Sequence, residues 1–204
     1  MVRFIGDVHG KWSQYQKLLD CDSSVQVGDF GVGFPVQNGV SVQPDFITGT
    51  DHRFIRGNHD SLATCKIQPN WIPDGWTMIQ NRTKFMFVGG AWSIDHQYRT
   101  PGIDWWDDEE LSYYELGDMI SKYMKFKPEV MVTHDLPWEV IPVLIRHFSD
   151  FHQSRTQVAL NEMWKFHKPK LWICGHWHCS VDKEVDGTRF KVLNELEYFD
   201  FDKI

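Results

Sequence analysis

No run of about 18 apolar residues occurs anywhere in the 204-residue sequence, so no helical membrane span is expected. Positive charge is also in short supply: 28 acidic residues outnumber 21 Lys and Arg, for a formal net charge of -7. That balance argues against a sequence-independent binder of duplex nucleic acid, which neutralises many phosphates with clustered Lys and Arg. A small phosphate-bearing substrate remains compatible with it. Cysteine is sparse, at Cys21, Cys65, Cys174 and Cys179, and no CxxC pair occurs. Cys174 and Cys179 bracket a histidine pair, yet among so many oxygen and nitrogen donors they read as buried free thiols rather than zinc ligands. The sequence opens on a strand-like run without the charged and apolar segments of a secretory leader, and the expectation is an intracellular, cytoplasmic protein. Repeats, low-complexity tracts and linkers are lacking, and the length suits one domain over 1–204. Nothing in the residues speaks to oligomeric state.

What the sequence does hold is a 42% hydrophobic share beside 24% charge, enough for a sizeable core, and ten Trp within an unusually high aromatic share of 15%. It also holds five short islands of metal-type donors: Gly6-Asp7-Val8-His9-Gly10, Gly28-Asp29, Gly57-Asn58-His59-Asp60, Thr133-His134-Asp135 and Gly175-His176-Trp177-His178. Each follows a predicted strand, at Val2–Ile5, Ser24–Val27, His52–Ile55, Glu129–Val132 and Leu171–Cys174 respectively. Every island therefore falls just past a strand's carboxyl end, where α/β sheets place their ligands. Short Asp or His motifs arise by chance; five in corresponding positions do not.

Between the islands, apolar spacing predicts helices over Lys11–Leu19, Glu109–Met124 and Ser154–Phe166. Hairpins are predicted from Thr77–Gln80 with Lys84–Val88, and from Cys179–Val185 with Arg189–Leu193 around Asp186-Gly187. Leu196–Phe201 suits a further strand, and Gly31 to Gly49 a surface loop.

Asp, His and Asn are mixed oxygen and nitrogen donors that suit Mn, Fe, Zn, Ni or Co, and no thiolate is among them. Two cations about 3.5–4 Å apart can clamp the attacking and leaving oxygens of a phosphoryl displacement and lower the pKa of a bridging water or hydroxide. Such a pair needs a shared carboxylate, and Asp29 is the candidate. Asp7 and His9 would serve one metal, Asn58 and His134 the other, with His176 and His178 divided between them. His59 follows Asn58 and is the candidate general acid, because an imidazole is protonated near neutrality; Asp60 or Asp135 would orient it.

Taken in order, GDVHG, GD, RGNHD, TH and GHWH resemble the calcineurin-like metallophosphoesterase family, and the resemblance spans residues 6 to 178. It implies an α/β protein of the α+β type: a central β-sandwich of two mixed sheets flanked by helices, with a dinuclear metal site at the strand ends. It implies Asp7, His9, Asp29 and His178 for the first metal, and Asp29, Asn58, His134 and His176 for the second. Manganese is the expected ion, with Fe, Zn, Ni, Co or Mg as alternatives. His59 becomes the catalytic acid or a phosphate contact, and the substrate a phosphate ester, nucleotides being among the candidates.

The family's protein phosphatases show GDxVDRG, whose second Asp partners the catalytic His and whose Arg grips phosphate. Here Val32 and Gly33 stand at those places. GHWH is more similar to phosphodiesterases and to small microbial or phage-type members, for which the setting would be a host cytoplasm. Metal-dependent phosphoester hydrolysis is thus the leading expectation, ahead of a nucleotide phosphodiesterase or nuclease, a serine/threonine phosphatase and a non-catalytic scaffold. Arg99 is a candidate replacement for the missing clamp, since a guanidinium offers a bidentate fork, against the plainer reading of a surface Arg pairing with Asp95 or Asp104. Asp107, Asp108, Glu109 and Glu110 read as the acidic start of a helix. Trp12, Trp92 or Trp177 could stack on a nucleobase, although Trp is more often core or cleft wall. His52, His96, His147, His152 and His167 lack island context and read as structural.

Overall fold

Successive side chains on a strand point to opposite faces, and along most strands of this chain both sets are apolar. The consequence is a layered structure, seen in a computed structural model that describes residues 1–145 and 152–202; His147 lies outside the described residues. In chain order the elements are β1 (Val2–Ile5), α1 (Trp12–Gln16), β2 (Ser24–Val27), β3 (Pro35–Val36), β4 (Gly39–Val40), β5 (His52–Ile55), α2 (Leu62–Cys65), β6 (Trp76–Gln80) and β7 (Thr83–Val88). They continue as α3 (Tyr113–Phe126), β8 (Val130–Thr133), α4 (Ile141–Leu144), α5 (Arg155–Phe166), β9 (Leu171–Cys174), β10 (Val181–Val185), β11 (Thr188–Val192) and β12 (Tyr198–Phe201).

A four-stranded sheet runs β12-β1-β2-β5 and a six-stranded one β10-β11-β9-β8-β7-β6. Both are mixed: β1, β2 and β5 are parallel, as are β7, β8, β9 and β11, while β12, β6 and β10 pair antiparallel at the edges. Val2, Phe4, Val25, Val27 and Ile55 from the first sheet meet Phe85, Phe87, Val130, Val132 and Ile173 from the second in one buried core. The alternate residues face outward. Ile5 and Phe54 pack with Tyr15 and Phe30 beneath α1 and α2, and Met86, Met131, Trp172 and Phe190 pack with Tyr123, Leu160 and Trp164 beneath α3 and α5. The expected sandwich of mixed sheets flanked by helices is what the chain forms. Among the described residues no helix is long and apolar enough to cross a membrane.

Local chemistry explains most boundaries. Asn81-Arg82 and Asp186-Gly187 connect their hairpins with two residues at positive φ, the backbone twist that matches strand twist. α5 begins at Ser154, whose hydroxyl accepts from Gln157 N while the Gln157 side chain accepts from Ser154 N. α3 begins later than expected, at Tyr113, through the same reciprocal box between Ser112 and Glu115. Asp107 to Glu110 therefore precede the helix and do not start it: Glu109 and Glu110 are buried, Glu109 on Ser93, 16 residues back. α1 is shorter than the Lys11–Leu19 pattern, although Leu18 and Leu19 still pack in the outer core. The 31–49 segment carries the exposed β3–β4 hairpin. Cys65 and Cys174 are buried as expected, whereas Cys21 and Cys179 are half-buried; all four are free thiols.

At the edge of the smaller sheet, the buried Arg3 guanidinium grips Asp200 on β12 through two bonds of 2.7 and 3.0 Å and lies over the Tyr198 ring. The Arg3 hydrogen bond holds the Asp200 carboxyl below its ordinary value. The pair therefore stabilises the fold above the ordinary carboxylate range, and that contribution is lost as the pH falls through the lowered value. Asp200→Asn is expected to cost about 0.5–1 kcal/mol near neutrality, with the gap to the parent closing below about pH 4, measured by urea unfolding at the two pH values.

Candidate metal centre

The parallel strands of each sheet deliver the five islands to one end of the sandwich. β1, β2 and β5 end at Gly6, Gly28 and Arg56-Gly57; β8 and β9 end at His134 and Gly175. Backbone must approach side chain very closely there. A Cβ at Gly28, whose φ is +103°, would lie 2.2 Å from His134 Nδ1, and one at Gly175 would lie 2.2 Å from Asp7 Oδ1. His9, Asp29, His176 and His178 themselves adopt φ between +45° and +67°, a costly region for residues with a Cβ. Beside Asp29 the strained backbone is held by Asp60, while His9 N bonds Asp29 O and His176 N bonds the Asp7 carboxylate. The Asp60 carboxylate accepts from the backbone N–H groups of Phe30, Gly31, Val32 and Gly57 at 2.7–3.0 Å, tying the loop after β2 to the loop after β5.

Asp7, His9, Asp29 and His178 each bring one donor atom to a common point, all four within 4.8 Å of one another. His178 Nε2 lies 3.0 Å from Asp7 Oδ2 and 3.1 Å from His9 Nε2, and His9 Nε2 lies 3.9 Å from Asp29 Oδ2. On the other side of Asp29, His134 Nε2 lies 3.3 Å from Asp29 Oδ1 and 3.1 Å from Asn58 Oδ1, and the His176 ring sits 5.0 Å from the His134 ring. Two carboxylates, a carboxamide oxygen and four imidazoles thus converge around one buried Asp, a donor set that suits borderline divalent cations.

The orientation of these donors is fixed from behind. His134 Nδ1–H donates to Val27 O at 2.9 Å, which aims Nε2 at Asp29 and Asn58. Asn58 Nδ2 donates to Ser93 Oγ at 2.9 Å, turning the amide oxygen inward; Ser93 in turn donates to Glu109 through Oγ at 2.5 Å and N at 3.0 Å. The sequence assigns no role to Ser93 or Glu109, because their contacts are long-range and the acidic run resembles a helix start, although Gly89-Gly90-Ala91-Trp92-Ser93 at the end of β7 is a sixth strand-end segment.

The electrostatics match the geometry. Burial alone would raise the Asp29 pKa, but the adjacent His134 outweighs it and holds the carboxyl well below the usual range; burial alone would depress His134, and Asp29 raises it instead. His178 is raised by its hydrogen bond to Asp7. His176, half-buried and beside His134, is pushed down to about 3 by loss of water and by that neighbour. A divalent cation would displace the protons this anionic field draws onto His134 and His178, so metal uptake is expected to strengthen with rising pH.

A cleft of about 450 Å³ opens over Asp29, Asn58 and His176. His59 lies on it, its Nε2 3.9 Å from Asp29 Oδ2 and 3.4 Å from an Arg99 terminal nitrogen, and burial pushes its pKa down, with Asp29 opposing and Arg99 assisting. Neither expected orienter holds it. Asp60 faces backbone amides, and Asp135 accepts from Leu136 N and Trp177 Nε1. Arg99 pairs with Asp95 as its plainer reading has it, bidentate at 2.7 Å, and also lines the cleft beside His59. Trp92 and Trp177 also line the cleft, whereas Trp12 packs edge-on against Phe30 in the outer core. His52 bonds Ser24, His96 and His167 bond backbone carbonyls, and His152 stacks on Trp92.

A sandwich with such donors at its strand ends defines a metal-binding hydrolase. The family is specific: a model of the calcineurin-like phosphoesterases matches residues 2–180, and the chain belongs to that family. It is a metallophosphoesterase, an enzyme of metal-dependent phosphoester hydrolysis whose relatives typically bind two divalent metals. Among solved structures it is similar to TT1561 of Thermus thermophilus, with TM-score 0.53 and 9% identity over 95% of this chain and 89% of that one. It is similar too to a putative 5′-nucleotidase from Staphylococcus aureus, with TM-score 0.52 and 12% identity over 95% of this chain but 48% of the nucleotidase. A third is GAP50, the anchor in the inner membrane complex of Plasmodium, at 0.50 and 13% over 95% and 71%. At such identities the likeness is one of fold. No curated protein matches the chain.

Removing the support behind Asn58 tests the centre without touching a donor. Ser93→Ala is expected to weaken divalent-metal binding about 10- to 100-fold, read by titration calorimetry, with the fold retained by circular dichroism.

Proposed function

We propose that the chain hydrolyses small or flexible phosphate esters with two divalent metals, manganese foremost. Asp7, His9, Asp29 and His178 would hold the first, and Asp29, Asn58, His134 and His176 the second. The observation that carries this reading is the position of Asp29, whose Oδ2 faces His9 while Oδ1 faces His134. One carboxylate is thereby presented to two clusters of donors. When bound, such a metal pair supplies Lewis acidity that activates water and neutralises charge on the phosphoryl oxygens.

The protein's own residues do the rest. Arg99, held by Asp95, presents a guanidinium edge to the cleft where a phosphate oxygen can be gripped bidentately. This replaces the clamp that Val32 and Gly33 do not offer: Val32 is fully buried and its N–H is spent on Asp60. His59 stands between Arg99 and Asp29 and gives its proton to the leaving alkoxide. Its lowered pKa means that less of it is protonated before substrate arrives, and the negative charge of an arriving phosphate favours the protonated form. The absence of the protein-phosphatase residues and the GHWH turn support phosphodiesters as a second substrate type, and the free thiols support a cytoplasmic setting.

p-Nitrophenyl phosphate and its bis ester, assayed with manganese, test the reading: turnover of at least one is expected. Turnover of neither, with metal bound, would sink it in favour of a structural role such as the anchoring described for GAP50. Preference for the bis ester would select the diesterase version. His59→Asn is expected to lower the rate constant about 100-fold or more with metal content preserved; unchanged turnover would remove His59 from the acid role.

A further inference from the structure

We infer that the esters this site accepts carry a planar aromatic group of nucleobase size, seated against Trp92 and Trp177. The inference rests on the phosphoesterase reading above and names the substrate class for the same cleft.

At about 450 Å³, the cleft is of the size that encloses a small molecule, a class that runs from about 300 to 1,000 Å³. Its lining is divided in character. Asp29, His59, Arg99 and His176 make an ionic part suited to the phosphate, and Trp92, Ile94 and Trp177 give it an apolar part. Arg99 is the one Arg or Lys among the described residues that line it. A single cation fits an ester with one phosphate and does not track a strand, whose backbone needs a positive groove.

The two indoles are placed by the centre itself. Trp177 lies in sequence between His176 and His178, its ring edge-to-face on His176 at 5.5 Å, and its Nε1 donates to the buried Asp135 at 3.1 Å. Trp92 immediately precedes Ser93, which holds Asn58, and its ring is stacked on His152 at 4.0 Å. Flexible Leu or Met side chains would accept a hydrocarbon of any shape. Indoles held by a ring-edge hydrogen bond or by a stacked neighbour are fixed in orientation, and aromatic rings that line a cleft reward a flat partner through offset stacking or edge contacts. Both indoles and Arg99 line the same cleft, so a ring resting on the indoles and a phosphate at Arg99 share one site.

The test separates base recognition from turnover. Methylenephosphonate analogues of adenosine 5′-monophosphate and of ribose 5-phosphate share the ribose and the charged group, differ by the base and cannot be hydrolysed. Calorimetry on the manganese-loaded protein is expected to show the adenosine analogue binding about 5- to 150-fold more tightly, the range for one aromatic stack. The ratio should fall toward one in Trp92→Leu or Trp177→Leu and stay near the parental value in Trp92→Phe. Equal affinities in the parent protein, binding of neither analogue, or a ratio that survives both leucine variants would overturn the inference. Failure of the phosphoesterase reading shows separately, as loss of turnover on the p-nitrophenyl esters.

Discussion

Of the hydrogen bonds that join the two sheets where the chemistry sits, the one that aims a donor is that of His134 Nδ1–H, at the end of β8, to the carbonyl of Val27, at the end of β2. It closes the sandwich at its functional end and fixes the imidazole so that Nε2 looks at Asp29 and Asn58. The bond requires the backbone of one sheet to pass within contact distance of a ring from the other, which is why glycine stands at position 28. Folding and site formation are therefore one event here. Stacking the apolar faces of the sheets also brings the five islands together, and the left-handed backbone at His9, Asp29, His176 and His178 is tolerated because both sheets hold it.

The strands and the donors were legible in the amino-acid sequence for a simple reason. Val2–Ile5, Ser24–Val27 and Leu171–Cys174 are short, buried on both faces and punctuated by glycine, so their limits can be read locally. Asp7, His9, Asp29, Asn58, His134, His176 and His178 follow such strands directly, and the structure gathers them at one end. What was not legible depends on contacts between distant segments. Glu109 resembles a residue that favours a helix start, yet its partner is Ser93, and the local Ser112 to Glu115 box sets the helix instead. Asp60 sits next to His59 in sequence but turns toward four amides of other residues. Adjacency in sequence said nothing about which atom a carboxylate would serve.

The distribution of charge follows the same division of labour. The carboxylates of Asp7 and Asp29 are buried within the donor cluster, and the guanidinium of Arg99 stands at the cleft wall. Arg56, fully buried at the end of β5, takes no part in the cleft. It binds Asp74 and the carbonyls of Asp108 and Glu109, and so braces the segment that carries Glu109 to Ser93. The centre is thus supported by a second ring of polar groups that meets the cleft only at Ser93, and it is this ring that keeps Asn58 facing inward.

The clamp that Asp60 places on Phe30, Gly31 and Val32 has a consequence for how such a fold can diversify. The chain is fastened before it reaches Gly33, and the exposed β3–β4 hairpin projects beyond the fastening point. Length and composition between Pro35 and Val40 are mechanically uncoupled from Asp29. A lineage can lengthen that hairpin into a lid or a contact arm, acquiring new specificity, while the metal chemistry a few residues away stays in register.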